Sequence, residues 1–421
     1  MVSDSEPWGI ETNSMNINEI TKKYISAHAS DDVARLALHP SKDPQVDMAM
    51  ALQQIAGRQK AKEKLPEWYA TEGILYPKKV SMEQCSSSQT AEYKASLVEG
   101  ESFADFSGGF GVDTVALARK FDKGWYVEPQ KELCDLFQHN CKVLDINNVN
   151  IVNGTMEANL ATIEPVDTIY LDPSRRDTHG RRVVSLADCT PNLLEWMSAL
   201  LAKCNTLMVK LSPMIDIFQT LRDLSETFAV HVIAVEGECK EVVFLLKTED
   251  VTVDDTRKDV PWRVSTTDPT IIAVDINKIA TTRVQSTLET ERTTPPRIAT
   301  ELGAYLYEPN AAVMKAGIFN ALSQQFQVAK LAKNTNLFTA NELHEDFPGR
   351  IFRIEAVREF HPRKTAKELS HLANASIAVR NFPLTAEELR KTLKIKDGNT
   401  CYLFGCTLYN DLKVILETTK K

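Results

Sequence analysis

Apolar and polar positions divide the chain into a polar helical start, an alternating strand-and-helix middle and a short mixed end. Residues 1–95 show helical periodicity, as at 46–55, with few apolar runs. From Ser102 onward, short apolar runs recur with room for a helix between them. Strands are predicted at 102–105, 123–128, 149–153, 167–171 and 206–211. Helices are predicted after Gly111 through VDTVALARKF, then over 130–144, 186–203 and 215–228. In the second of these Leu133, Leu136, Phe137, Cys141 and Leu144 fall on one face, and Cys134 and Cys141 read as core thiols. Two further runs, 231–235 and 242–246, flank Gly237 as a hairpin. Five strands alternating with helices and a closing antiparallel pair predict an α/β fold with a Rossmann-like seven-stranded sheet.

The rest of the chain is shorter-ranged. Residues 248–262 read as a polar linker, and 265–345 as a small α+β segment with a strand at 270–274 and helices through 308–313 and 321–331. Pro309 suits the first turn of a helix, and capping and packing suffice to explain Glu308. Residues 349–357 alternate, with Phe352, Ile354 and Ala356 on one face. A helix at 365–373, a strand at 376–379, a capping box from Thr385 to Glu388 and a final strand at 402–408 complete a small basic unit from about 348 to 421.

Composition narrows the class. The 421 residues are 43% apolar and 25% charged, an ordinary globular balance, and the net charge of −8 neither suggests a wholly basic nucleic-acid binder nor excludes local basic faces. The beginning, MVSDSEPWGIE, is acidic, and no apolar run reaches the roughly 18 residues of a membrane helix, so the cytoplasm is the expected compartment with no membrane partner. The eight cysteines form no C-x-x-C pair or His/Cys cluster, so neither a metal site nor a disulfide framework is expected. The basic run at 58–64 ahead of Leu65-Pro66-Glu67-Trp68-Tyr69 reads as a solvated helix face followed by a packed Trp, with contact to RNA as the alternative.

Candidate chemistry begins with SFADFSGGFG at 102–111. A strand ending in Asp105 turns through Ser107, Gly108, Gly109 and Gly111 into a helix, and those glycines let a backbone approach a ligand closely. The spacing is not GxGxxG, and Asp105 would repel a phosphate, so a cationic ligand is favoured. The pattern resembles motif I of the class I S-adenosylmethionine methyltransferases, with Ser107 in place of the first glycine. That resemblance implies S-adenosyl-L-methionine as cofactor, held by Asp105, Ser107, Gly109 and Gly111, with Glu128 at the next strand end accepting from the ribose hydroxyls. An adenine contact just past the third strand would fall to Asn153 or Thr155.

Motif IV, where methyl and acceptor meet, corresponds to Asp172-Pro173-Ser174-Arg175. The aromatic residue that base N-methylating relatives carry there is missing, which argues against methylation of a flipped base's amino group. Arg175, Arg176, Arg181 and Arg182 crowd the following loop, opposed only by Asp177, and suit RNA phosphates; a loop pinned by salt bridges is the plainer account. Lys94, Asp172, Lys210 and Glu241 resemble in position the K-D-K-E tetrad of ribose 2′-O-methyltransferases. Lys210 would then be the base-like residue, with Lys94 favouring its neutral form.

The whole chain resembles bacterial class I methyltransferases with a C-terminal THUMP-like domain, through EQCSSSQTAEYKASL, ADFSGGFGVD, DPSRRDTHGRR, YLYEPNAAVMKAG, FPGRIF and IAVRNFPLTAEELRKTLKIKDG. The resemblance implies an N-terminal helical region at 1–95, a methyltransferase domain at 96–250, a ferredoxin-like segment at 265–345 and a THUMP-like domain at 348–421. It also implies RNA, tRNA or rRNA, as substrate. Two other functions stay open: a small-molecule methyltransferase, and a non-catalytic RNA-binding or assembly factor with a degenerate pocket, which the departures at Ser107 and Thr155 allow.

Overall fold

A computed structural model describes residues 17–175, 186, 189–247, 268–278 and 280–421. The chain divides into two compact units, Met1–Val209 and Lys210–Lys421.

The first unit begins with helices, several started by side chains that accept from the first turn: Asn18 for Glu19–Ala27, Asp32 for Val33–Leu38, Asp47 for Met48–Lys64 and Ser87 for Ser88–Ala95. These helices are not a separate body. Ala61, Leu65, Trp68 and Tyr76 share one core with Phe110, Val112, Val115, Tyr126 and Phe137 of the following α/β layer. The basic-to-aromatic run at 58–69 is a packing element, with Trp68 buried and the Arg58 guanidinium 4.7 Å from the Tyr69 ring centroid.

Strands β1 (Ser102–Asp105), β2 (Lys123–Glu128), β3 (Val149–Asn153), β4 (Val166–Leu171) and β5 (Cys204–Leu211) lie in the order β5-β4-β1-β2-β3, all parallel. The chain runs outward from β1 to β3 and returns to the other side of β1 as β4. Their carboxyl ends therefore flank a topological switch point, where open α/β sheets place ligands. The helix expected over 186–203 is confined to Leu193–Leu201. Ahead of it Cys189–Thr190 pairs with Ser174–Arg175 as a two-residue ribbon, and Pro191 follows, which excludes a continuous helix.

In the second unit the expected hairpin is β6 (Thr227–Val235) and β7 (Glu238–Leu246), longer than predicted and turned through Glu236 and Gly237 at φ 51° and 76°. Two more strands extend it: β8 (Thr270–Ile276) lies parallel to β6, and β9 (Thr281–Thr287) antiparallel to β8. The strand predicted at 270–274 thus joins this hairpin and not the small sheet that follows.

That small sheet has seven strands, β10 (Tyr305–Pro309), β11 (Ala329–Ala332), β12 (Thr335–Ala340), β13 (Gly349–Glu359), β14 (Asn374–Arg380), β15 (Lys396–Thr407) and β16 (Lys413–Lys420), in the order β11-β12-β10-β13-β16-β15-β14. One core joins Leu306, Leu331 and Leu337 to Phe352, Phe404, Val414 and Leu416, so residues either side of 348 fold as one body. The capping box of Thr385 and Glu388 is present. Pro309 ends a strand, with Asn310 capping the next helix, so it is not in a first helical turn. The last strand is β16 rather than 402–408: Asn410 and Asp411 turn the chain back into KVILETTK.

Candidate cofactor and methyl-transfer site

The glycine loop is held from all three strands around the switch point. Asp105, at the end of β1, accepts from the Ser107 N–H (2.9 Å) and hydroxyl (3.0 Å) on Oδ1 and from the Thr114 hydroxyl (2.6 Å) on Oδ2. The residue is 1% exposed, its carboxyl closed on the loop and the helix Val112–Ala118. It therefore sets the shape of the cradle and does not present its charge to a ligand.

Burial pushes the Asp105 carboxyl up to about 7 from an ordinary 3.8, against the lowering effect of those hydrogen bonds. The folded protein then keeps a proton that the unfolded chain releases between about pH 4 and 7, so stability from this group is full below that window and falls as pH rises through it. In urea titrations across pH, Asp105→Asn is expected to remove that decline; parallel wild-type and variant curves would contradict it.

Ser107 explains its own departure from the glycine pattern. Its hydroxyl donates to Asp105 and accepts from the Asp172 N–H at 2.8 Å, tying the loop after β1 to the end of β4. From β2, Glu128 turns back over the loop: Oε2 accepts from the Gly109 N–H (3.0 Å) and Oε1 from the Gln130 N–H (2.9 Å). Tyr126, two residues earlier on the same strand, donates its hydroxyl to the Gly109 carbonyl at 2.7 Å and stacks on Phe137 with centroids 4.0 Å apart. The glycines are sterically required. A Cβ on Gly108 would lie 2.4 Å from the Tyr126 ring, and Gly111, at φ 85°, would place one 2.1 Å from Phe137.

The remaining expectations divide. Thr155 is exposed and caps the short helix Met156–Asn159, while the Asn153 amide donates to the Glu128 and Pro129 carbonyls. Arg175 lies on the short ribbon, whereas Arg176, Arg181 and Arg182 fall outside the described residues, as does the linker at 248–262. Lys94 is buried, its ammonium 2.8 Å from Asp113 Oδ1, 2.7 Å from the Ser86 hydroxyl and 3.3 Å from the Tyr170 hydroxyl. Tyr170 and Ser86 both donate to Asp113 Oδ2, at 3.0 and 2.8 Å. In the second unit Lys210 on β5 is half-buried and Glu241 on β7 is buried.

Among the described residues no group of side chains has the makings of a metal site, and no helix is long and apolar enough to cross a membrane.

Sequence families described as a ferredoxin-like domain and a THUMP-like domain match residues 305–348 and 349–420. A crystal structure of a candidate methyltransferase from Porphyromonas gingivalis superposes with a TM-score of 0.82 at 30% identity, covering 95% of this chain and 97% of that one. The chain belongs to this family of methyltransferases with a C-terminal THUMP-like domain. Partial matches include a candidate methyltransferase from Streptococcus mutans in complex with S-adenosylhomocysteine (15% identity, TM-score 0.30, 38% of this chain and 97% of that one). Another is an rRNA methylase from Streptococcus thermophilus (16%, TM-score 0.29, 38% and 95%). No curated protein matches the chain.

Within this methyltransferase, Tyr126, Thr114 and the Asp113–Tyr170–Ser86 set were not foreseen. Strand alternation carries a signal for two of them: Tyr126 shares a face with Glu128, and Tyr170 with Asp172. Ser86 and Asp113 have none, because they meet only through the packing of the helix that bears Lys94.

Proposed function

We propose that this methyltransferase uses S-adenosyl-L-methionine to methylate structured RNA, tRNA or rRNA, in the cytoplasm. The observation that carries the cofactor is the Glu128 carboxylate folded over the Gly109 N–H, which makes an acid and a glycine floor into one cradle at the ends of β1 and β2. Each carboxylate oxygen has a lone pair beyond the one it spends on backbone, and these suit two ribose hydroxyls. The cradle has the lack of Cβ atoms that a nucleoside needs to lie against backbone. When bound, the cofactor supplies an electrophilic methyl on a sulfonium. The protein's part is to hold it in line with the acceptor. The Ser107 departure, the main ground for a degenerate pocket, is a tie between β1 and β4, and this favours a working catalyst over an assembly factor.

On the acceptor side we assign Asp172 to the transfer point, with Lys94, Lys210 and Glu241 as the charged set that orients a hydroxyl, a ribose 2′-hydroxyl in this reading. Lys94 is buried with Asp113, Ser86 and Tyr170 as partners, and Tyr170 stands two residues before Asp172 on the same strand. Calorimetry with S-adenosylhomocysteine and the full chain is expected to show one site, and its absence would leave only a non-catalytic role. Lys210→Met is expected to keep that affinity and lose turnover, at least 100-fold for a proton-handling residue; near-normal turnover would remove Lys210 from the mechanism. The RNA arm rests on the THUMP-like domain, and nucleoside mass spectrometry of RNA from cells with and without the gene tests it.

A further inference from the structure

Three of the family's motifs, YLYEPNAAVMKAG, FPGRIF and IAVRNFPL, have no part in the cradle, yet their charged residues meet at one point of the small sheet. Glu308 on β10 is the cross-strand partner of Arg350 on β13. Its Oε2 accepts from Arg350 Nε at 2.7 Å and from Arg350 Nη2, and its Oε1 accepts from Arg380 Nη2 at 2.6 Å. Arg380 Nη1 also donates to the Val379 carbonyl at 2.8 Å. The carboxylate is 3% exposed, while the guanidinium-bearing side chains of Arg350 and Arg380 are 47% and 35% exposed.

A purely structural clamp has no need to leave one cation exposed and the other partly so. Here the anion is sunk while Arg350 is exposed and Arg380 partly exposed, with one carboxylate against two guanidiniums, a net charge of one positive. Of five N–H donors on each guanidinium, two on Arg350 and one on Arg380 are fixed by Glu308, and one more on Arg380 by Val379. The unspent donors on the terminal nitrogens are pre-oriented, so little rotamer freedom is lost when they bind an anion. Two adjacent planar forks match the oxygens of a phosphate.

We propose that Arg350 and Arg380, set by Glu308, form a backbone-phosphate site for the RNA substrate. The notch contacts phosphate and so contributes affinity and register without reading sequence. This rests on the RNA reading above and gives it two named residues in place of a basic domain at large.

The test is fluorescence anisotropy of labelled unfractionated bacterial tRNA with the full-length chain across a salt series. Arg350→Gln and Arg380→Gln are each expected to weaken binding roughly 5- to 10-fold and to lower the slope of log affinity against log salt by about 0.7 to 1, the signature of one lost phosphate contact. Glu308→Gln keeps both cations and is expected to hold the wild-type slope. Arg380→Gln retains the Arg350–Glu308 pair, so it carries the test if Arg350→Gln fails to fold. Wild-type slopes in the arginine variants, with only the unfolding midpoint lowered, would overturn the site and leave a structural clamp. A wild-type chain that binds neither this tRNA nor labelled rRNA fragments would overturn the RNA reading itself, which separates the two failures.

Discussion

Glu128→Gln is expected to weaken binding of S-adenosylhomocysteine about 100-fold, the loss of roughly 2.7 kcal/mol. Hydrogen bonds to a charged acceptor contribute about 1.5–3 kcal/mol each, and the ribose hydroxyls would lose the ionised partner. The amide also has one oxygen where the carboxylate has two. Whichever way it faces, its NH2 meets a backbone donor, Gly109 N–H on one side or Gln130 N–H on the other. If the NH2 faces Gly109, the loop loses this tie to β2 as well and keeps only those from Tyr126 and Val127. Glu128→Asp keeps the charge but draws it back by one methylene, so an intermediate loss is expected. Calorimetry reads both variants, and wild-type affinity for Glu128→Gln would take the carboxylate out of the cofactor site.

The sequence showed which strand ends matter because each is a short apolar run closed by an acid or a glycine, and β1, β2 and β4 sit where those runs predicted. It did not show what the acids do. Asp105 and Glu128 look alike as strand-terminal carboxylates, yet Asp105 is sealed by Thr114 and Ser107 while Glu128 reaches over Gly109. The difference lies in which backbone donors a turn offers, and no residue pattern records that. Ser107 was visible only as a missing glycine; its link to Asp172 joins residues far apart in the chain and exists only once β4 lies beside β1. The extra strands β8 and β9 were likewise illegible as part of the hairpin's sheet. Thr270–Ile276 is a plain buried strand whose partner is chosen by packing. Glu308 had a sufficient bland explanation in the sequence, and only the sheet brings Arg350 and Arg380 to it.

Lys94→Met is expected to destabilise the first unit by about 3 kcal/mol, lowering its unfolding midpoint by roughly 10 °C. The side chains of Lys94 and Asp113 are 2% and 14% exposed, so removing the ammonium leaves the carboxylate in a poorly solvated place without this cation. Asp113 lies in the first turn of the helix that follows the glycine loop, and Tyr170 precedes Asp172 by two residues on β4. The loss thus falls on the frame between cofactor cradle and transfer point. The double variant Lys94→Met/Asp113→Leu separates stability from chemistry, because replacing a buried pair by apolar groups is often neutral or stabilising. A recovered midpoint with recovered kcat would make Lys94 a positioning residue that acts through the helix. A recovered midpoint with kcat still depressed and cofactor affinity normal would place its charge in the transfer step, as the tetrad reading expects. A Lys94→Met midpoint equal to wild type would show that the ion pair with Asp113 contributes nothing to the fold, and the positioning role would fall.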